Sequence, residues 1–254
     1  MIDPQWYKKD WTLDIKNQSW VEDTPNQIDF ILKTLELKGN EKILDLACGF
    51  GRHSLYLAKL GYDVTGVDIT HDYIADAQNE AKKMNLKINF IHDDIRNINL
   101  SNEFDVVLNL ADGAIGYMEN DEENIKIFDV ISRALKNNGK HFMDICNAEH
   151  AQTYFPKRHW EIGSKSLSLP EFIWEDKTKR MLYSQWEAEF GKILEKPKEI
   201  VPLNTIRLYT KNELKNIFED RSMKIIKTFS NYYGKIDSKN ELQLMVYSKK
   251  EENK

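Results

Sequence analysis

Residues 42–68 read KILDLACGFGRHSLYLAKLGYDVTGVD, and the fold is decided there. Ile43, Leu44 and Leu46 form the short apolar run of a buried parallel strand. The run gives way at Ala47-Cys48-Gly49-Phe50-Gly51, and a helical pattern starts at Arg52 with Leu55, Leu57, Ala58 and Leu60 as its apolar side. Gly61 stops that helix, Tyr62 to Val67 reads as a second strand, and Asp68 stands at its end. Strand, glycine turn, helix, strand and acid make up the nucleotide-binding half of a doubly wound sheet.

Gly49 and Gly51 lack the β-carbons that keep a ligand off the backbone, and they admit turn dihedrals closed to other residues. Their N–H groups and the start of the next helix are expected to face a polar or anionic group. Asp68, one strand further on, is placed to accept from the two hydroxyls of a ribose. Dinucleotide binders carry a third glycine where this chain has Ser54. A carboxylate four residues before the first glycine would also repel a pyrophosphate. Asp45 there suits a ligand with a positive end, such as an amino acid ammonium.

With ACGFGRH at 47–53, GVD at 66–68, DDIR at 93–96 and RLYT at 207–210, the chain resembles the small-molecule branch of the class I S-adenosylmethionine-dependent methyltransferases. The likeness covers 24–148 and, more loosely, 206–248. It implies S-adenosylmethionine as cofactor and S-adenosylhomocysteine as product. Asp45, Ala47, Cys48, Gly49 and Gly51 would hold the methionine end, and Asp68 the ribose, with Ile69 and Asn109 also in contact. The D-x-R pattern of the family puts the adenine amino group on Asp94 and the ring against Ile95. Asp93 competes, because spacing does not separate adjacent carboxylates.

The 254 residues suffice for a large core without staples, and the formal charge of -5 disfavours a nucleic-acid-wrapping surface. Cys48 and Cys146 offer neither a disulfide framework nor a metal cluster, so no metal is expected and a reducing compartment is. The opening MIDPQWYKKDW lacks a signal peptide's apolar core and no run approaches a bilayer span. The expectation is a cytoplasmic chain with no membrane partner and an open oligomeric state.

Trp6, Tyr7, Trp11 and Trp20 crowd the first 23 residues, either as an arm on the core or as a lid attractive to a cation. Thr24-Pro25-Asn26-Gln27 predicts a helix start with Thr24 as cap, and Gly39 predicts its close. Asn109 to Gly113 lies at the exit of a fourth strand, where open α/β sheets place ligands. That segment is not the [DN]-P-P-[YF] of DNA amino methyltransferases, and no Pro-Cys nucleophile is present. Asp112 and Tyr117 point, on this reading, toward the methyl acceptor.

The strand-helix alternation stops after a fifth strand ending at Cys146. Residues 149–209 show no clear helix but a period of two, with a polar turn at 175–179. A small antiparallel sheet inserted there would cap the acceptor site. Thr210-Lys211-Asn212-Glu213 is a capping box, and two late strands close the sheet around a polar loop at 232–240. The expected architecture is therefore a seven-stranded, mostly parallel, Rossmann-like α/β sheet from 1–148 and 210–254, with 149–209 as a substrate cap.

Methyl transfer from a sulfonium needs alignment and exclusion of water more than acid catalysis. If the acceptor must lose a proton, Asp112, His150, His159 and Tyr117 are the candidate bases in that order. His53 is expected to orient the glycine turn. A small-molecule acceptor is expected, with N, O or C as nucleophile. The rival readings are aminopropyl transfer, a non-catalytic nucleoside-binding or assembly protein, and an NAD-dependent oxidoreductase.

Overall fold

The computed structural model describes residues 2–162, 166–193 and 202–252. Helix α1 (Thr24–Leu35) precedes β1 (Lys42–Leu46), α2 (Arg52–Lys59) and β2 (Asp63–Asp68). Helix α3 (His71–Lys83), β3 (Asn89–His92), β4 (Phe104–Asn109), α4 (Asp121–Ala134) and β5 (Leu135–Cys146) follow. A short helix α5 (Ala148–Tyr154) leads to β6 (Lys157–Arg158), β7 (Glu161–Ile162), β8 (Ser166–Glu175), β9 (Arg180–Glu189) and β10 (Asn204–Arg207). The chain closes with α6 (Lys211–Glu219), β11 (Met223–Phe229) and β12 (Gln243–Lys250).

Seven strands form one sheet in the order β11-β12-β5-β4-β1-β2-β3. Only β12 runs against its neighbours. The apolar run of β1 is buried on both faces. Leu44 and Leu46 pack with Phe128, Ile131 and Phe218, while Ile43 packs with Ile28, Ile31 and Leu57. Phe104, Phe128, Phe142 and Phe218 are fully buried, each contributing about 1.5–3 kcal/mol of hydrophobic stabilisation.

The second sheet, β10-β9-β8-β6 with β7 on β8, lies within the expected insert, and β8 and β9 turn at the polar 176–179. It is anchored to the main body through backbone contacts. Arg207 N–H donates to the Gly116 carbonyl, and Arg180 Nη2 to that of Met118.

Several local expectations are corrected. Thr24 does not cap α1: its hydroxyl donates to the Val21 carbonyl, and Gln27 turns away to α2. Helix α1 ends on left-handed Glu36, not Gly39, with the Leu37 N–H returning to Leu32. Residues 149–209 do contain a helix. Asn147 accepts from the Glu149 N–H and starts α5, which is too short to show a periodicity. The capping box at Thr210 is present as expected. The 232–240 loop is not merely polar, because Tyr232 is buried and donates 2.6 Å to Asp144.

Candidate active site

The exits of β1, β2 and β4 open into one cavity of about 120 Å3, room for several waters. Its floor is Asp45, Ala47, Cys48 and Gly49, with Asp68, Ile69 and Thr70 on one side and Leu110, Ala111, Gly113 and Ala114 on another. Ala47 and Gly49 both have positive φ, 56° and 57°, which folds the turn back on itself. The Gly49 N–H then donates 2.8 Å to Asp68 Oδ2, while the Thr70 N–H donates 2.8 Å to Oδ1. The loop after β1 and the end of β2 are thus locked through one carboxylate.

The two glycines have different tasks. A Cβ on Gly49 would meet nothing nearer than Tyr73 at 3.9 Å, so its missing side chain leaves open space at the cavity. A Cβ on Gly51 would lie 2.9 Å from Phe90 and 3.0 Å from Ala77. Gly51 lets α2 and α3 close over the strands and does not line the cavity, contrary to the sequence expectation.

Asp45 is 1% exposed, and Ser54 Oγ donates 2.6 Å to its Oδ2. Burial pushes its pKa up to about 6, against the Ser54 hydrogen bond and the nearby Arg52 charge. Burial raises Asp68 too, opposed by the Thr70 and Gly49 N–H groups. His53 meets Gln27 Oε1 at 2.9 Å through Nε2, and burial followed by the Arg52 charge holds the ring well below its ordinary pKa. It is neutral and orients Gln27.

The N-terminal aromatics serve as both arm and wall. Tyr7, Trp11, Ile15 and Trp20 line the cavity. Trp11 stacks on Tyr117 at 6.0 Å, and Trp6 reaches the same ring at 4.9 Å. Tyr7 donates to Glu119, Trp6 to the Thr205 carbonyl, and Tyr73 to the Thr12 carbonyl, so the segment is tied at three points. No described residue of 149–209 lines the cavity. The second sheet instead braces the 116–118 segment beside Tyr117.

The remaining candidates are placed as follows. Tyr117 lines the cavity, and its hydroxyl donates 3.3 Å to Asp112 Oδ2 just behind the wall. Burial, then the charge of Asp144, raises Asp112 to about 7. Asn109 is fully buried, donating to the Gly113 carbonyl and facing His141, so it shapes the loop and does not reach the cavity. Asp94 is claimed by Arg96, whose Nη2 lies 2.5 Å and Nε 3.0 Å away, while Ile95 is a core residue. Asp93 is exposed beside them. His150 packs on Tyr154 and Phe155, outside the cavity. His159 lies flat on Phe172 and meets Glu161. The sequence reading missed Tyr232, Arg52 and Tyr73.

This set fits an S-adenosyl ligand: an open glycine, a carboxylate at each end of the turn and an aromatic wall. Residues 43–139 match the Methyltransferase domain family. The chain carries a class I S-adenosylmethionine-dependent methyltransferase domain. S-adenosylmethionine is accordingly its cofactor, and the dinucleotide reading is set aside. The chain is 30% identical over 135 residues to a putative methyltransferase of Bacillus subtilis, covering 53% of each. It is 25% identical over 160 residues to a glycine/sarcosine N-methyltransferase of Aphanothece halophytica, covering 61% of this chain and 60% of that one. The methyltransferase domain thus aligns with about half to two thirds of the length of these relatives. A solved S-adenosylmethionine-dependent methyltransferase from Clostridium acetobutylicum superposes with a TM-score of 0.75 at 19% identity, over 94% of this chain and 97% of that one. No described helix is long and apolar enough to cross a membrane.

Proposed function

We propose that this protein moves a methyl group from S-adenosylmethionine to a N, O or C nucleophile of a small-molecule acceptor by in-line displacement. One observation carries the reading: Asp45 and Asp68, both buried, flank a single glycine turn on the wall of one cavity. The sulfonium supplies a leaving group that is already activated, so no acid is required. Asp45 faces the ammonium and Asp68 the ribose. The N-terminal aromatics exclude water, and their faces favour the cationic centre.

Asp112 serves as the base where the acceptor must shed a proton. Its pKa of about 7 suits a proton acceptor at neutral pH. Tyr117 links it to the cavity wall. The backbone holds it in place, since φ is positive at Ala111, Asp112, Gly113 and Ala114 and the Asp112 N–H donates to the Asp144 carbonyl. His150 is the weaker base, lying away from the cavity.

A small acceptor is favoured by the enclosing wall of Tyr7, Trp11 and Trp20 and by the net charge of -5. The second sheet, as a brace for the segment bearing Tyr117, sets the shape of that space. Incubation with methyl-labelled S-adenosylmethionine, a small-metabolite extract and total RNA tests the reading. Label is expected in the small-molecule fraction, with a product mass increased by one methylene. Label in RNA would overturn the acceptor class. S-adenosylhomocysteine binding without any transfer would favour the non-catalytic alternative.

A further inference from the structure

Two acids stand behind the cavity wall where the loop after β4 meets β5. The Asp112 N–H donates 2.8 Å to the Asp144 carbonyl, and the Asp144 charge is felt at the Asp112 carboxyl. Asp144 is buried and accepts 2.6 Å bonds from the Tyr232 hydroxyl and from Gln243 Nε2. Asp112 is half-buried and accepts from the backbone at Cys146 and, at 3.3 Å, from the Tyr117 hydroxyl. Among the described residues no Lys, Arg or His nitrogen lies within 4.0 Å of either carboxylate, nor of Asp45 or Asp68 at the glycine turn. Arg52 acts on Asp144 only from beyond that distance.

The charge count at the cavity is therefore short of cations. Of the described residues that line it, Arg52 alone is positive, since His53 is neutral. The cofactor adds one net positive charge, and Asp45 and Asp68 belong to its two ends. That leaves Asp112 and Asp144 unmatched on the side of Tyr117, whose ring meets Trp6 at 4.9 Å and Trp11 at 6.0 Å. Carboxylates drawn out of water without a cation are costly, and aromatic faces attract ammonium groups.

We infer that the methyl acceptor is a primary or secondary amine that arrives as an ammonium at Tyr117 and passes its proton through the Tyr117 hydroxyl to Asp112. The inference rests on the methyl-transfer reading and narrows its nucleophile to nitrogen. The ammonium N–H donates to Tyr117 Oη, which accepts from no described residue, while the Tyr117 proton moves to Asp112 Oδ2. The freed nitrogen lone pair then forms the N–C bond as the C–S bond breaks, and the electron pair of that bond stays on sulfur. The products are a methylated ammonium and a neutral thioether, and half-buried Asp112 returns its proton to water. Burial lowers the pKa of an ammonium and raises that of a carboxyl, and with Asp112 at about 7 the transfer is less uphill than in water. Asp144 and Cys146 on β5 and Tyr117 on the same loop are the titratable groups facing Asp112, and Tyr73 of α3 faces Tyr117. None of them is a cation that would compete with the amine.

The test blocks amines without requiring the acceptor to be known. The full chain is incubated with methyl-labelled S-adenosylmethionine and a small-metabolite extract, used either untreated or after acylation of its amines with succinic anhydride. Acylation should reduce the label transferred by at least about tenfold, because an amide nitrogen has no lone pair to offer. Undiminished label would mean an oxygen or carbon acceptor and overturn the inference, leaving methyl transfer intact. No label from either extract, with S-adenosylhomocysteine still bound in calorimetry, would remove the methyl-transfer reading and this inference with it. The amine recovered from the labelled product then serves as substrate for Asp112→Asn and Tyr117→Phe. Each variant should lose about 100-fold in kcat/KM at pH 7 and regain it as pH rises toward the amine's own pKa, about 10, where free amine is supplied by the solvent. Their unfolding midpoints and S-adenosylhomocysteine affinities report separately on folding and on the cofactor. A loss that high pH does not restore would make both residues structural supports, and unchanged kcat/KM in both would remove the relay. Either result overturns the proton path.

Discussion

Ser54 Oγ donates a 2.6 Å hydrogen bond to Asp45 Oδ2, joining the first turn of α2 to the end of β1. Ser54 occupies the position where a dinucleotide binder has its third glycine. Here that position supports a buried carboxylate instead of close helix packing. Ser54→Ala should cost about 1–3 kcal/mol in urea unfolding, the range for leaving a buried acceptor short of a donor. It should also raise the Asp45 pKa further and weaken S-adenosylhomocysteine at neutral pH. Unchanged stability and affinity would show that Asp45 does not depend on this contact.

Buried acids and buried histidines set opposing pH dependences: burial holds His53, His141 and His150 below the ordinary imidazole range, so their contribution to stability rises with pH, whereas that of the acids falls. Burial raises Asp45 to about 6 and Asp112 to about 7, while an unfolded carboxyl titrates near 3.9. Between roughly pH 4 and 7 these two acids keep protons in the folded protein that they have released in the unfolded chain, so their contribution to stability falls as pH rises and levels above that window. Glu213 does not mask the effect. Burial raises its pKa, but hydrogen bonds from Lys179, Thr210 and Arg207 outweigh this and hold it at about 2, so its contribution is lost only in stronger acid. Measured against Asp45→Asn, which removes the Asp45 contribution and leaves the histidines in place, the urea midpoint of the ligand-free wild-type protein should fall as pH rises from about 5.5 to about 7.5. Ligand affinity should run the other way, rising through about pH 6 as Asp45 ionises. A wild-type midpoint that climbs relative to that of Asp45→Asn over this range would contradict the raised pKa of Asp45.

Gly49 and Gly51 separate packing from binding. Gly51→Ala must adopt φ +77° with its Cβ 2.9 Å from Phe90, and should lose roughly 2–4 kcal/mol of stability. Gly49→Ala meets only the dihedral cost, about 1–2 kcal/mol, but places a methyl group in the cavity. It should therefore lose ligand affinity out of proportion to its stability. Denaturation and calorimetry on the two variants distinguish the roles, and equal effects on both quantities would refute the division.

The adenine assignment divides between neighbours. Asp94 already accepts from the backbone N–H, Nε and Nη2 of Arg96, whereas Asp93 is exposed and, among the described residues, accepts only from the Asp94 N–H. Asp93→Asn should therefore reduce S-adenosylhomocysteine affinity more than Asp94→Asn, which should chiefly loosen the Arg96 contacts with Glu119, Glu123 and Tyr7. The reverse order of affinities would restore Asp94 to the adenine.

The glycine turn and its two acids were legible in the sequence because their chemistry is local: strand period, turn residues and acid spacing all lie within 42–68. The seven-stranded sheet and its late hairpin followed from the resemblance. What escaped notice depends on contacts far apart along the chain. Tyr232 looks like loop, yet it is buried against Asp144, a residue 88 positions earlier. The second sheet resembles a cap by its place in the chain, but its backbone contacts go to Gly116 and Met118, and the wall of the cavity comes from Tyr7, Trp11 and Trp20. Helix α5 was hidden by its seven-residue length. Asn109 sits at the right strand end, but its amide is consumed by Gly113.

Calorimetric titration of wild-type protein and Asp68→Ala with S-adenosylhomocysteine, alongside NAD, is the most direct test of a cofactor gripped between two acids around one glycine turn. The account predicts binding by wild-type protein, none with NAD, and a loss of about tenfold or more in the variant, about 1.4 kcal/mol. Equal affinity in the two proteins would contradict it.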